Sequence, residues 1–215
     1  MKAGLFGGTF NPLHMAHIRI AEHVQQYLSL DTIFFFPSAT PPHKPGVDLA
    51  PAEDRYDMVV QSLAQKKGLV PSDIEIRRNG PSFTIDTVYA FKRQYGDSYQ
   101  FYLLMGSDAF FDTPTWKRQK DIFAAVPIVV MPRQGTVSHP EVRSFLDEHI
   151  AKGYTWHQEE RQFIHDRLQP VCICPVPRID ISSTLIRNRV KQHLPIKDLV
   201  PPPVEKIIIE RNLYV

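Results

Sequence analysis

A chain of 215 residues, 43% of them hydrophobic, has the size of one medium α/β domain and enough apolar content for a core. A formal charge of +2 excludes a general nucleic-acid coat, so any basic site is local and no nucleic-acid partner is expected. Two cysteines, Cys172 and Cys174, are too few for a zinc framework and such close neighbours rarely bridge, so they read as reduced packing residues of a cytoplasmic protein.

The apolar stretch at 2–6 ends in Gly7-Gly8, and a helical pattern begins soon after at His14. That stretch is only a strand long, so no secretory signal is expected, and no apolar run approaches membrane-spanning length, so no membrane partner is expected. Strand, glycine turn and helix together bring backbone N–H groups and a helix N-terminus to one point, an anion site. Glycine lacks the Cβ that would hold a phosphate or an adenine ring off the backbone. His14 and His17 stand three apart, share one helix face, and point at whatever the turn holds.

Ile18, Ala21, Val24 and Leu28 continue that helix at the spacing of one apolar face. Residues 31–36 form a continuous apolar run capped by Pro37, the pattern of a strand buried on both faces. The resulting βαβ unit is right-handed and parallel, so the proline-rich loop after Pro37, with His43 and Lys44, emerges at the carboxyl edge of the sheet, where such folds bind ligands. Residues 52–65 read as a helix with Tyr56, Val59, Val60 and Leu63 inward, 74–77 as a strand, 79–82 as a turn and 84–95 as a helix. A buried strand over 99–105 ends in Gly106-Ser107-Asp108, repeating the strand–glycine–polar junction of the first turn. A short helix over 114–123 opens with proline, and 127–131 is a further buried strand. From 134 to 170 the character changes to a helical insertion, with Val142, Phe145, Leu146 and Ile150 at helical spacing and Phe163, Ile164 and Leu168 beyond Gly153. A short strand over 170–175, a helix opened by Ser182 and a terminal helix from Pro201 complete the chain. The fold class expected is α/β, a Rossmann-like doubly wound parallel sheet in one domain over 1–215.

The segment GGTFNPLHMAH at 7–17 resembles the GGTFDPxHxGH segment of nucleotidyltransferases that carry an HxGH signature, with Asn11 in place of the usual Asp and Ala16 in place of the usual Gly. PPHK at 41–44, GPSFTIDT at 80–87, GSD at 106–108, PTW at 114–116 and ISSTLIR at 181–187 narrow the resemblance to the bacterial nicotinate-mononucleotide adenylyltransferases. It covers most of the chain except 134–170. The resemblance implies transfer of the adenylyl group of ATP to nicotinate mononucleotide, giving deamido-NAD and pyrophosphate in NAD biosynthesis, with Mg2+ bound to ATP and no dedicated protein ligand set. Adenylyl transfer to nicotinamide mononucleotide or phosphopantetheine, or a non-catalytic nucleotide sensor, are the alternatives. PTW and GPSFT suit a pyridine nucleotide better than a pantetheine arm.

Such a transfer needs positioning and charge neutralisation more than covalent help. His14 and His17 are the candidates to donate to the α-phosphate, against a plain reading as two histidines in the first turn of a surface helix or a metal pair lacking further ligands. His43 and Lys44 sit in a proline-stiffened loop, either phosphate-binding or merely solvated. Ser182, Ser183 and Thr184 offer a helix cap and a phosphate seat together. By resemblance Arg187 grips the leaving phosphates as a bidentate cation, which makes His14, His17, Lys44 and Arg187 the catalytic set. By resemblance too, ATP lies against Gly7, Gly8, Thr9, Phe10, His43, Gly106, Ile181, Ser182 and Ser183. Trp116 then stacks on the pyridine ring, backbone N–H groups of Thr84 and Lys117 hold the nicotinate carboxylate, and Asp108 supports the site. A flat cationic ring does favour an aromatic face, against the plainer reading of Trp116 as a core aromatic. An ammonium of Lys117 reaching that pocket would favour the acid over the amide; the plainer reading leaves only its backbone involved.

Overall fold

Strand β1 (Lys2–Gly8) is buried from Ala3 to Phe6 and becomes half-exposed at its two terminal glycines. The computed structural model describes residues 1–40, 48–78, 80–132 and 137–215. They form two units, a flanking unit of Phe6–Ser82 with Ile179–Val215 and a central unit of Met1–Leu5 with Phe83–Arg178, so that β1 contributes its halves to different units.

In the flanking unit β1 neighbours β2 (Thr32–Pro37), which pairs in parallel with β3 (Leu69–Pro71), Phe34 lying opposite Val70. Helix α1 (Met15–Tyr27) links β1 to β2 and buries Ala16, Ile18, Ala21 and Val24, the face its spacing predicts. Helix α2 (Ala52–Leu63) buries Arg55, Met58, Val59 and Leu63, with Tyr56 and Val60 only half-buried, so its inward face is rotated from the expected one and carries an arginine. Residues 74–77, expected as a strand, belong instead to the short helix α3 (Ile74–Arg78); the Arg77 amide donates to the Asp73 carbonyl at 2.9 Å, a helical turn that an alternating pattern of four residues does not exclude. Helices α8 (Ser183–Lys191) and α9 (Pro202–Glu210) complete the unit.

In the central unit the first half of β1 neighbours β4 (Gln100–Gly106), followed in space by β5 (Ile128–Met131) and β8 (Val171–Ile173), with parallel β4–β5 and β5–β8 pairs. Helix α4 (Thr84–Tyr95) precedes β4, and α5 (Ser107–Asp112) starts directly at its end. The helix expected over 114–123 is divided: a 3₁₀ turn at Thr113–Thr115 and then α6 (Gln119–Ala125), interrupted by Arg118 at φ 52°.

The insertion is helical only in its first half. Helix α7 (His139–Phe145) runs into a π-helical turn (Leu146–Ile150), and Gly153 at φ 108° turns the chain into β6 (Thr155–His157) and β7 (Gln162–Ile164). These strands pair antiparallel, Trp156 opposite Phe163, and β7 adds to the free edge of β8. Phe163 is fully buried in that hairpin, and alternating Gln-Phe-Ile serves an edge strand better than a helix. Both cysteines are free, and burial pushes the thiols up, Cys172 to about 11 and Cys174 to about 12, so both stay protonated as packing residues.

Candidate functional site

The candidate residues fall into two clusters, one in each unit. In the flanking unit β1 ends in the turn Thr9-Phe10-Asn11, where Phe10 takes φ 46° and Asn11-Pro12 is cis. Gly7 and Gly8 serve packing here: a Cβ at Gly7 would lie 2.5 Å from the Phe36 ring, and one at Gly8 3.0 Å from the Phe10 ring. Phe6, Phe10 and Phe35 pack edge-on or tilted at 5.1–5.8 Å, giving the turn a rigid apolar floor.

His14 is the N-cap of α1, nearly buried, and its ring stacks on that of His17 with centroids 3.6 Å apart. The His14 amide donates to His17 Nδ1 at 3.2 Å. An Nδ1 that accepts leaves the ring proton on Nε2, so His17 is fixed as a donor at its far nitrogen. Phe10 meets the His17 ring edge-on at 5.0 Å and limits its rotation.

Residues 171 and 176 positions on reach the same turn. Ser182 caps α8, its Oγ accepting from the Leu185 amide at 3.1 Å, while Ile181 is half-buried just before it. Ser183 Oγ donates to the Pro12 carbonyl at 3.0 Å, and Arg187 Nη1 donates to the Asn11 carbonyl at 2.9 Å. Arg187 Nη2 donates to Thr184 Oγ1 at 3.4 Å, while its buried Nε has no partner among the described residues. The structure therefore brings together Gly7, Gly8, Thr9, Phe10, His14, His17, Ser183 and Arg187. His43 and Lys44 lie outside the described residues.

Asp48, Tyr214 and Arg55 also join this cluster and escaped the sequence reading, the first two through Asn11. Asn11 Oδ1 accepts from the Ala50 amide at 3.0 Å and the Tyr214 hydroxyl at 2.8 Å, and its Nδ2 donates to the Asp48 carbonyl at 2.7 Å. Asp48 also binds Lys191 Nζ at 2.8 Å, and that hydrogen bond holds its carboxyl below the usual range. Arg55 is fully buried, with its guanidinium on the carbonyls of Ala50, Thr9 and Ala39. An arginine spaced with Val59 and Leu63 on an apolar helix face was the available signal.

In the central unit Thr84 opens α4, with Phe83 as the N-cap. Lys117 Nζ donates to Asp86 Oδ2 at 3.0 Å and lies 4.5 Å above the Phe83 ring, which joins the Lys117 segment to the start of α4. Trp116 is half-buried, and its Nε1 donates to Asp112 Oδ2 at 3.4 Å. Gly106 is the N-cap of α5, and Asp108 stands exposed in the first turn. Asp86 thus engages the Lys117 ammonium, the group that could have served acid recognition.

Residues 5–189 match the family model described as Cytidylyltransferase-like. The chain belongs to the cytidylyltransferase-like family. A protein of Geobacter metallireducens described as a probable nicotinate-nucleotide adenylyltransferase is 37% identical over 215 residues, covering 100% of this chain and 98% of that one. One of Caldicellulosiruptor saccharolyticus with the same description is 34% identical, covering 100% and 99%. The solved Plasmodium falciparum nicotinic acid mononucleotide adenylyltransferase complexed with NaAD has a TM-score of 0.74 at 18% identity, covering 99% of this chain and 97% of that one. That likeness shows the fold: the α/β nucleotidyltransferase arrangement, a mostly parallel sheet with helices on both sides. Within this cytidylyltransferase-like chain no helix of the described residues is long and apolar enough to cross a membrane.

Proposed function

We propose that this chain is a nicotinate-nucleotide adenylyltransferase of the cytoplasm, joining ATP and nicotinate mononucleotide into deamido-NAD with release of pyrophosphate. The observation that carries the reading is the Arg187–Asn11 bond, which docks a distant guanidinium on the turn that also orients His17. The names of full-length relatives at 34–37% identity support the choice of substrate. A phosphate oxygen of nicotinate mononucleotide attacks the α-phosphorus, a new O–P bond forms, and the bond to the β-bridging oxygen breaks with pyrophosphate leaving. His17 Nε2–H and His14 donate to the α-phosphate as charge builds, and Arg187, with Lys44, holds the departing phosphates. Backbone N–H groups of the turn and of the α8 start add fixed dipoles. Mg2+ bound with ATP would supply shielding of the triphosphate charge. Among the described residues no three His, Cys, Asp or Glu side chains cluster as a metal cage. Trp116 provides a face for the pyridine ring, and the amides of Thr84 and Lys117 provide donors for its carboxylate, with Asp108 supporting them.

A pyrophosphate-release assay with nicotinate mononucleotide, nicotinamide mononucleotide and phosphopantetheine as acceptors tests the reading. The expected result is highest kcat/KM with the nicotinate compound. Tight ATP binding without pyrophosphate release for any acceptor would make the protein a sensor.

A further inference from the structure

Helix α2 carries a charge where its neighbours are apolar. Arg55 shares its inward face with Met58, Val59 and Leu63, and it is wholly buried. Its Nε donates to the Ala50 carbonyl at 2.9 Å, Nη1 to the Thr9 carbonyl at 2.8 Å, and Nη2 to the Ala39 carbonyl at 3.2 Å. Those carbonyls belong to three segments: the stretch leading into α2, the turn after β1, and the exit of β2. A planar guanidinium can hold three acceptors in one plane, which a lysine ammonium cannot.

The charge itself needs an explanation. Among the described residues no carboxylate pairs with Arg55; Glu53, Glu75 and the Tyr214 hydroxyl act on it only at longer range. Carbonyl dipoles solvate a guanidinium but do not cancel its charge, which Glu53 and the buried Glu75 offset without pairing with it, and a buried cation so held is costly where an apolar side chain of similar volume would pack without that cost. The position of the charge supplies the reason. Arg55 holds the Thr9 carbonyl and Arg187 holds the Asn11 carbonyl, two residues apart in the turn. In a planar trans peptide the C=O and N–H point oppositely, so drawing the Thr9 carbonyl inward turns the Phe10 N–H outward.

We infer that Arg55 is a positioning residue: it aims the Phe10 N–H out of the first turn, and its charge, which no described carboxylate pairs with directly, is balanced further by the phosphates of the bound nucleotide. This rests on the adenylyltransferase reading for the identity of that nucleotide. It is a role for a side chain that holds the turn by its main-chain carbonyls, distinct from that of the groups proposed to touch phosphate.

The test uses the full chain with Arg55→Met and Arg55→Lys, measuring ATP and adenosine binding by calorimetry, thermal unfolding without ligand, and kcat and KM. For Arg55→Met, ATP affinity falls by about tenfold or more while adenosine affinity stays within about twofold, and kcat falls with it. Arg55→Lys, which keeps the charge and loses the fork, lies between wild type and Arg55→Met. Equal losses for ATP and adenosine, or none for ATP, overturn the inference. Should Arg55→Met fail to fold, the ATP-to-adenosine ratio of Arg55→Lys decides, an unchanged ratio overturning it. Failure of both to fold assigns Arg55 to the fold alone and overturns it as well. The ratio is read without turnover, so a wild-type protein that binds ATP but releases no pyrophosphate refutes the adenylyltransferase reading separately.

Discussion

The Tyr214 hydroxyl, one residue from the last in the chain, donates a 2.8 Å hydrogen bond to the buried amide oxygen of Asn11 in the first turn. The same amide donates to the Asp48 carbonyl, so Asn11 acts as donor and acceptor at once. An ionised aspartate, usual here in the family the sequence resembles, accepts only. Burial pushes the Tyr214 hydroxyl upward from its ordinary value, so it remains a donor throughout the neutral range.

Removal of that hydroxyl in Tyr214→Phe leaves Asn11 Oδ1 with the Ala50 amide, so no buried acceptor is stranded. The expected loss is that of one net hydrogen bond, about 1 kcal/mol, or a fall in Tm of about 2–4 °C. Urea and thermal unfolding measure it. An unchanged midpoint would show that the tail contributes nothing to bracing Asn11.

His17 and His14 differ in what they can offer. His17 Nδ1 accepts from the His14 amide, which leaves the ring proton on Nε2, whereas His14 is buried with its ring stacked on that of His17. His17→Ala therefore lowers kcat by about a hundredfold or more while ATP still binds, the signature of a donor used chiefly in the transition state. Steady-state kinetics beside ATP calorimetry separate the two effects, and retained turnover would place the reacting centre elsewhere.

Much of this was legible because local signals agreed with one another. Ile18, Ala21 and Val24 have helix spacing and are buried on α1, and the apolar run to Pro37 is β2. Ser182 caps α8 as its residue type predicts. Where local patterns were ambiguous the reading failed. Four alternating residues at 74–77 suit a strand or one helical turn equally, and here the helix is formed. Phe163 and Ile164 were assigned to a helix because the pattern of a three-residue edge strand is too short to stand out. The partners of Arg55 and Tyr214 were not legible for a different reason: they are main-chain carbonyls and an amide far away in sequence, and no spacing rule encodes them, although the arginine on an apolar helix face was itself a signal.

Lys117 illustrates how a partner changes an expectation. Its ammonium is engaged by Asp86 at 3.0 Å and by the Phe83 ring, on a partly exposed surface. A cation already neutralised there adds little to choosing acid over amide. Lys117→Gln is therefore expected to leave the nicotinate-to-nicotinamide ratio of kcat/KM within about twofold, with a stability change of about 0–1 kcal/mol as for other surface pairs. A fall of about tenfold in that ratio would return the ammonium to the pocket.

The glycine pair yields the sharpest stability prediction. A methyl group at residue 7 would meet Phe36 Cε2 at 2.5 Å and Cζ at 2.7 Å, well inside van der Waals contact. Phe36 is only 4% exposed in a strand whose flanking residues are also buried, so its ring has little room to withdraw. Overpacking of this kind costs about 1–3 kcal/mol, and Gly7→Ala should lose that much in urea unfolding. Residue 7 does not lie in the left-handed region, so the loss arises from the ring and not from the backbone. The double variant Gly7→Ala/Phe36→Leu should therefore be more stable than the sum of the two single losses allows, by about 1 kcal/mol or more of coupling. Strict additivity in that cycle would mean that the glycine is required for something other than clearance of Phe36.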